Sequence, residues 1–117
     1  MVNNNITMYH GDTYTQSIYI NSGSFEEPER YIITEHDKLY IGIREPNQRF
    51  EDSLIRKVYS SSSEKTAEGD IVFKLDYKDT KLVHPGTYYL CAKLVQNYDS
   101  DSPIVSTIID DTLFFIL

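Results

Sequence analysis

The residues best placed to do chemistry are one dense acidic run, three histidines and a single cysteine. Asn97-Tyr98-Asp99-Ser100-Asp101 begins like a calcium loop. Such a loop needs glycine at its sixth position and a bidentate glutamate at its twelfth. Counting from Asn97, those places hold Ser102 and Ile108; counting from Asp99, they hold Ile104 and Asp110. The run therefore reads as a solvated hairpin loop. His10, His36 and His84 lie far apart, none has a second ligand at metal spacing, and no Cys-x-x-Cys occurs. A nucleophilic thiol wants a helix N-terminus or cationic neighbours. Cys91 falls mid-strand with only Lys93 on its face, so a structural role is expected. Glu26-Glu27 and Asp110-Asp111 are adjacent pairs, and adjacent strand residues point apart, which makes neither an acid–base couple. No phosphate-binding glycine loop and no Gly-x-Ser-x-Gly elbow is present. The expectation is a protein without catalytic residues, cofactor or metal.

The elements around these residues are strands. The organising stretch runs from Asp79 to Leu94. Asp79-Thr80 can start a turn by bonding its own backbone. Leu82 is the one apolar side chain there that could plug the end of a core, and Pro85-Gly86 lets the chain turn. Tyr88, Leu90, Ala92 and Leu94 then alternate inward. A turn, a Leu plug and a Tyr opening a strand resemble the E–F corner of immunoglobulin-like sandwiches. Elsewhere, alternation predicts strands at Ile6–Met8, at 13–20, at 38–45, at 53–59, at 70–76 and at 104–117. Gln16 stands where an apolar residue is expected. Tyr31-Ile32-Ile33 reads as a brief strand, Ser60 to Glu68 as a polar loop with little to order it, and Asp110-Asp111 as a break in the last strand. About seven short strands with no long helix predict an all-β, immunoglobulin-like antiparallel β-sandwich over residues 1–117, a single domain.

Composition narrows the partners. The 117 residues carry a net charge of −7 with scattered basic residues, which argues against nucleic acid. The 10 Tyr and 5 Phe supply core bulk and argue against disorder. One cysteine fits a reducing compartment of synthesis. Residues 1–20 show neither a basic start nor an apolar run, and no window approaches a membrane helix, so neither secretion nor a membrane is expected. The Asn5-Ile6-Thr7 sequon then reads as accidental.

Several segments together resemble a family. They are Gly11-Asp12-Thr13 and Lys38-Leu39-Tyr40-Ile41-Gly42-Ile43-Arg44-Glu45-Pro46-Asn47, then Gly69-Asp70-Ile71. Asp79-Thr80 with Leu82, Pro85-Gly86-Thr87-Tyr88-Tyr89 and the closing Phe114-Phe115-Ile116-Leu117 complete the set. From about Ile6 to Leu117 the chain is similar to small immunoglobulin-like proteins of phages and prophages of Gram-positive gut bacteria, and to N-terminal domains of phage baseplate upper proteins. The resemblance implies a non-enzymatic virion structural protein of tail, baseplate or neck, made in the bacterial cytoplasm and contacting other virion proteins. It carries over no functional residue.

Strand phase adds an expectation of homo-oligomers. If Leu90 and Ala92 point inward, Tyr89, Cys91, Lys93 and Val95 point outward. Tyr40, Tyr89, Cys91 and Phe115 could then form one outer patch, with the aromatic, charge-poor composition of interface cores. The competing expectation is a carbohydrate- or receptor-binding sandwich that stacks tyrosines on a sugar; the bland reading is that tyrosine is a good strand former.

Overall fold

A computed structural model describes residues 5–117. The described residues form seven strands in two sheets. They are β1 (Ile6–Met8), β2 (Tyr14–Ile18), β3 (Asp37–Arg44), β4 (Ile55–Tyr59), β5 (Ile71–Leu75), β6 (Gly86–Gln96) and β7 (Ile104–Ile116). The larger sheet has the order β1-β7-β6-β3-β4, and β2 pairs with β5 in the smaller. The fold is all-β, as the alternation predicts. The larger sheet is mixed and not purely antiparallel, because β1 runs parallel to β7, with Ile6 opposite Phe114 and Met8 opposite Ile116.

One apolar core lies between the sheets. Leu39, Ile41 and Ile43 of β3, Leu90, Ala92 and Leu94 of β6, and Phe114 and Ile116 of β7 face Ile18, Ile71, Phe73 and Leu75 of the smaller sheet. Tyr14 bridges them, meeting Phe73 and Phe114 edge-on at ring distances of 6.3 and 5.7 Å. The misplaced Gln16 is explained here: the Tyr14 hydroxyl donates to its Oε1 at 2.7 Å, so a half-buried amide has a partner.

The corner between β5 and β6 departs from expectation. A four-residue helix, α1 (Tyr77–Thr80), follows β5. Asp76 caps it by accepting from the Lys78 and Asp79 N–H groups, and Asp79 reaches back to the Asp76 N–H. Val83 N–H then closes on the Thr80 carbonyl at 2.9 Å. Residues three apart share a face, so Thr80 and Val83 turn inward and Leu82 is thrown outward. Leu82 is 86% exposed and plugs nothing; Thr80 is fully buried in its place and accepts from Gly11 N–H at 3.3 Å. β6 starts at Gly86, ahead of the Tyr88 expected to open it. Tyr88 is buried, and its hydroxyl donates to the His84 carbonyl four residues upstream.

Three further expectations are corrected. Tyr31-Ile32-Ile33 makes no strand; Ile33 reaches the core from a loop, while Asn21 and Arg30 form an isolated bridge ahead of it. Ser60 to Glu68 is held by a network of hydrogen bonds. Ser60 and Ser63 bond each other reciprocally, Val72 N–H donates to the Glu64 carbonyl, and Lys65 bridges Ile71 along the free side of β5. Backbone bonds and the polar side chains of Ser60, Ser63 and Lys65 together tie the segment. Asp110-Asp111 does not break β7 but sits in a bulge, where register slips between Leu90 opposite Thr112 and Ala92 opposite Ile109.

Candidate functional site

Tyr40, Tyr89, Cys91 and Phe115 lie on the outer face of the larger sheet. Register places them: Tyr40 is opposite Lys93, Gly42 opposite Cys91, and Arg44 opposite Tyr89. Tyr89 is in turn opposite Leu113, and Thr87 opposite Phe115. Thr7 of β1 flanks Phe115 on the other side. The tyrosines and Phe115 are half-buried.

They do not make one open patch. A 3₁₀ turn, η1 (Phe50–Asp52), folds back over this face. It rests on Gly42: a Cβ there would collide with the Ser53 side chain and come within 3.1 Å of the Phe50 ring. Glycine in the middle of a strand fits such a close approach without saying which segment makes it, and the sequence analysis did not draw η1 from it. Cys91, opposite Gly42, is therefore buried although it points away from the core. Burial pushes its thiol pKa up, Asp111 adds to this, and Lys93 only partly opposes it. A raised pKa favours the thiol over the nucleophilic thiolate.

Cations interrupt the aromatics. Arg44 lies 5.3 Å from the Tyr89 ring centre and pairs with Asp111 in the β7 bulge. Its Nη1 also donates to the carbonyls of Glu45, Pro46 and Gln48, pinning the chain that leads into η1. Lys93 Nζ sits 5.1 Å above Phe50. The face is thus a row of aromatics with cations stacked between them. Stacked Arg and aromatic groups are enriched in protein interfaces.

The remaining candidates are dispersed. His36 Nδ1 lies 3.0 Å from Asp99 Oδ2, and this hydrogen bond raises the imidazole pKa and lowers that of the carboxyl. His10 bonds Leu117 through its backbone, and His84 supplies the carbonyl to Tyr88. The acidic run folds as a turn with Asn97 at φ 56° and Tyr98 N–H donating to the His36 carbonyl. Among the described residues, no three His, Cys, Asp or Glu side chains are grouped to hold a metal ion, and no helix is long and apolar enough to cross a membrane. Three features escaped the sequence reading: η1 over Gly42, a fully exposed Phe25 and a mixed polar and apolar cleft beside Leu82. No protein-family model matches this chain, and neither curated proteins nor solved structures give a match.

Proposed function

We propose that this chain is an immunoglobulin-like module of a phage or prophage virion, a tail, baseplate or neck component acting through protein–protein contacts and self-assembly. The immunoglobulin-like part is supported by a five-strand sheet beside a strand pair and by a buried Tyr88 whose hydroxyl returns to the backbone upstream, a tyrosine-corner arrangement. The virion part rests on the sequence resemblance. The observation that carries the contact role is the outer face, where Tyr40, Tyr89 and Phe115 are half-buried with Arg44 and Lys93 among them. Fold alone assigns no function, so the face and not the architecture bears the reading.

Two measurements test it. Mass spectrometry of purified particles from the bacterium carrying this gene is expected to find the chain in the particle; its absence there refutes the virion assignment. Light scattering at micromolar concentration is expected to show oligomers that Phe115→Lys weakens. A folded Phe115→Lys chain as oligomeric as the parent rules out this face. Saturable sugar binding on a glycan array would favour the carbohydrate-binding alternative.

A further inference from the structure

The edges of an open sheet offer unpaired N–H and C=O groups to any extended segment. In the larger sheet one edge is β4, and the other is β7 wherever β1 does not cover it. β1 pairs only with Phe114, Phe115 and Ile116. From 104 to 113, the described residues give the β7 backbone strand partners on β6 alone. The other edges are blunted. β4 carries Arg56 and Lys57, the Lys65 bridge runs along β5, and β2 is polar at Thr15, Gln16 and Ser17. Further along β7, the bulge and the exposed Asp110 and Asp111 blunt the edge again. The stretch Ile104-Val105-Ser106-Thr107-Ile108-Ile109 has no such protection. It holds no charge, proline or glycine, and Ile104 and Val105 are 55% and 60% exposed.

Charges, bulges and bound loops at an edge keep a strand from pairing with its own copies. Their presence at the other edges and their absence over this stretch select a second copy of the chain as the partner. A two-fold axis through the sheet keeps every side chain on its own face, so one residue must stand opposite itself. Centring on Ser106 sets Ile104 against Ile108 and Val105 against Thr107, all β-branched side chains that pack well across strands. Centring on Thr107 would set Ile104 against Asp110, and centring on Val105 would draw in Pro103, which has no N–H to donate. Val105 and Thr107 lie opposite Val95 and Lys93 of β6, on the same outer face as Tyr40 and Tyr89.

We propose that two copies join edge to edge along residues 104–108, antiparallel about a two-fold axis at Ser106, so that their larger sheets become one continuous sheet. The inference rests on the self-assembly reading and names a second surface for it, the β7 edge, distinct from the outer sheet face.

The test works in a Phe115→Lys background, where the sheet-face contact is removed, and in high salt, which screens the repulsion between chains of net charge −7. Sedimentation is expected to show a dimer forming below about 0.5 mM. Val105→Glu combined with Thr107→Glu sets glutamate opposite glutamate on both sides of the axis and is expected to weaken the dimer roughly tenfold or more. Thr15→Glu combined with Ser17→Glu adds the same charge at exposed positions of β2 and is expected to leave it unchanged. Cross-linking reads the register. Val105→Cys and Thr107→Cys chains, both substituted at exposed positions, are expected to form a disulfide-linked pair when mixed in oxidised glutathione, faster than either chain alone. Cys91 is buried and stays out of the reaction. A Phe115→Lys chain that stays monomeric leaves the edge to an extended segment of another protein and overturns the self-pairing. Glutamates on β7 that act no more than those on β2, or a mixture that cross-links no faster than its components, would overturn it as well. Parent oligomers that survive Phe115→Lys and disappear with the β7 glutamates would support the edge and count against the sheet face alone.

Discussion

Leu82 and Tyr88 occupy the same corner with opposite fates. Leu82 is exposed outside the Thr80–Val83 turn, so Leu82→Ala is expected to change stability by less than about 0.5 kcal/mol in dilute denaturant titrations. Tyr88 is buried with its hydroxyl committed to the His84 carbonyl, so Tyr88→Phe is expected to cost roughly 1 kcal/mol. A Leu82→Ala loss of a full core leucine, about 2–5 kcal/mol, would contradict the outward orientation. Cys91 makes a second prediction. Buried beneath η1 with a raised pKa, it should react with a thiol reagent slowly when native and quickly once unfolded. Equal rates would mean that η1 does not cover it.

At the scale of elements, side chains tie strand ends to loops. His36, ahead of β3, holds Asp99 in the β6–β7 turn. The imidazole pKa is raised by this hydrogen bond, so its contribution is complete below its unfolded value and is lost as pH rises through the folded one. The Asp99 pKa is lowered by the same bond, so its contribution is present above its unfolded value and is lost as pH falls through the folded one. The turn should be held most firmly between the two. In an NMR titration the His36 ring is expected to titrate above an ordinary histidine and to return to normal in Asp99→Asn; an unshifted midpoint in the parent would remove the tether. The segment from Ser60 to Gly69 behaves as part of β5. Lys65 is half-buried and its ammonium bonds the Ser61 and Ser63 carbonyls, whereas Lys81 is exposed in an irregular stretch. Trypsin is expected to cut after Lys81 well before Lys65; the reverse order would show that the backbone pairing along β5 opens readily.

For the whole molecule, the two sheets share one core and Tyr14 touches both. Unfolding should be a single cooperative transition, with tyrosine fluorescence and far-UV dichroism coinciding. Phe73, fully buried under Tyr14, is expected to cost about 3–5 kcal/mol as Phe73→Ala. Separate transitions for the two probes would mean that the smaller sheet opens on its own.

The sequence by itself determined the strands and their phase. Leu39, Ile41 and Ile43, Ile71, Phe73 and Leu75, and Tyr88 to Leu94 alternate because each strand has one dry side, and a period of two residues is a local property. It also placed Tyr40, Tyr89, Cys91 and Phe115 on one face, since register follows phase. Only the tertiary structure decided what covers that face. Whether η1 folds back over Gly42, and whether Lys65 joins β5, depends on contacts between distant segments that no local pattern records. Leu82 shows the limit most sharply. Its hydrophobicity argued for the interior, but a one-turn helix capped by Asp76 rotated Thr80 and Val83 inward, and backbone geometry outranked side-chain preference. Phe25 is the same case in a loop: backbone N–H groups donating to the Asn21 and Ser24 side chains set the backbone, and the aromatic ring was left in water.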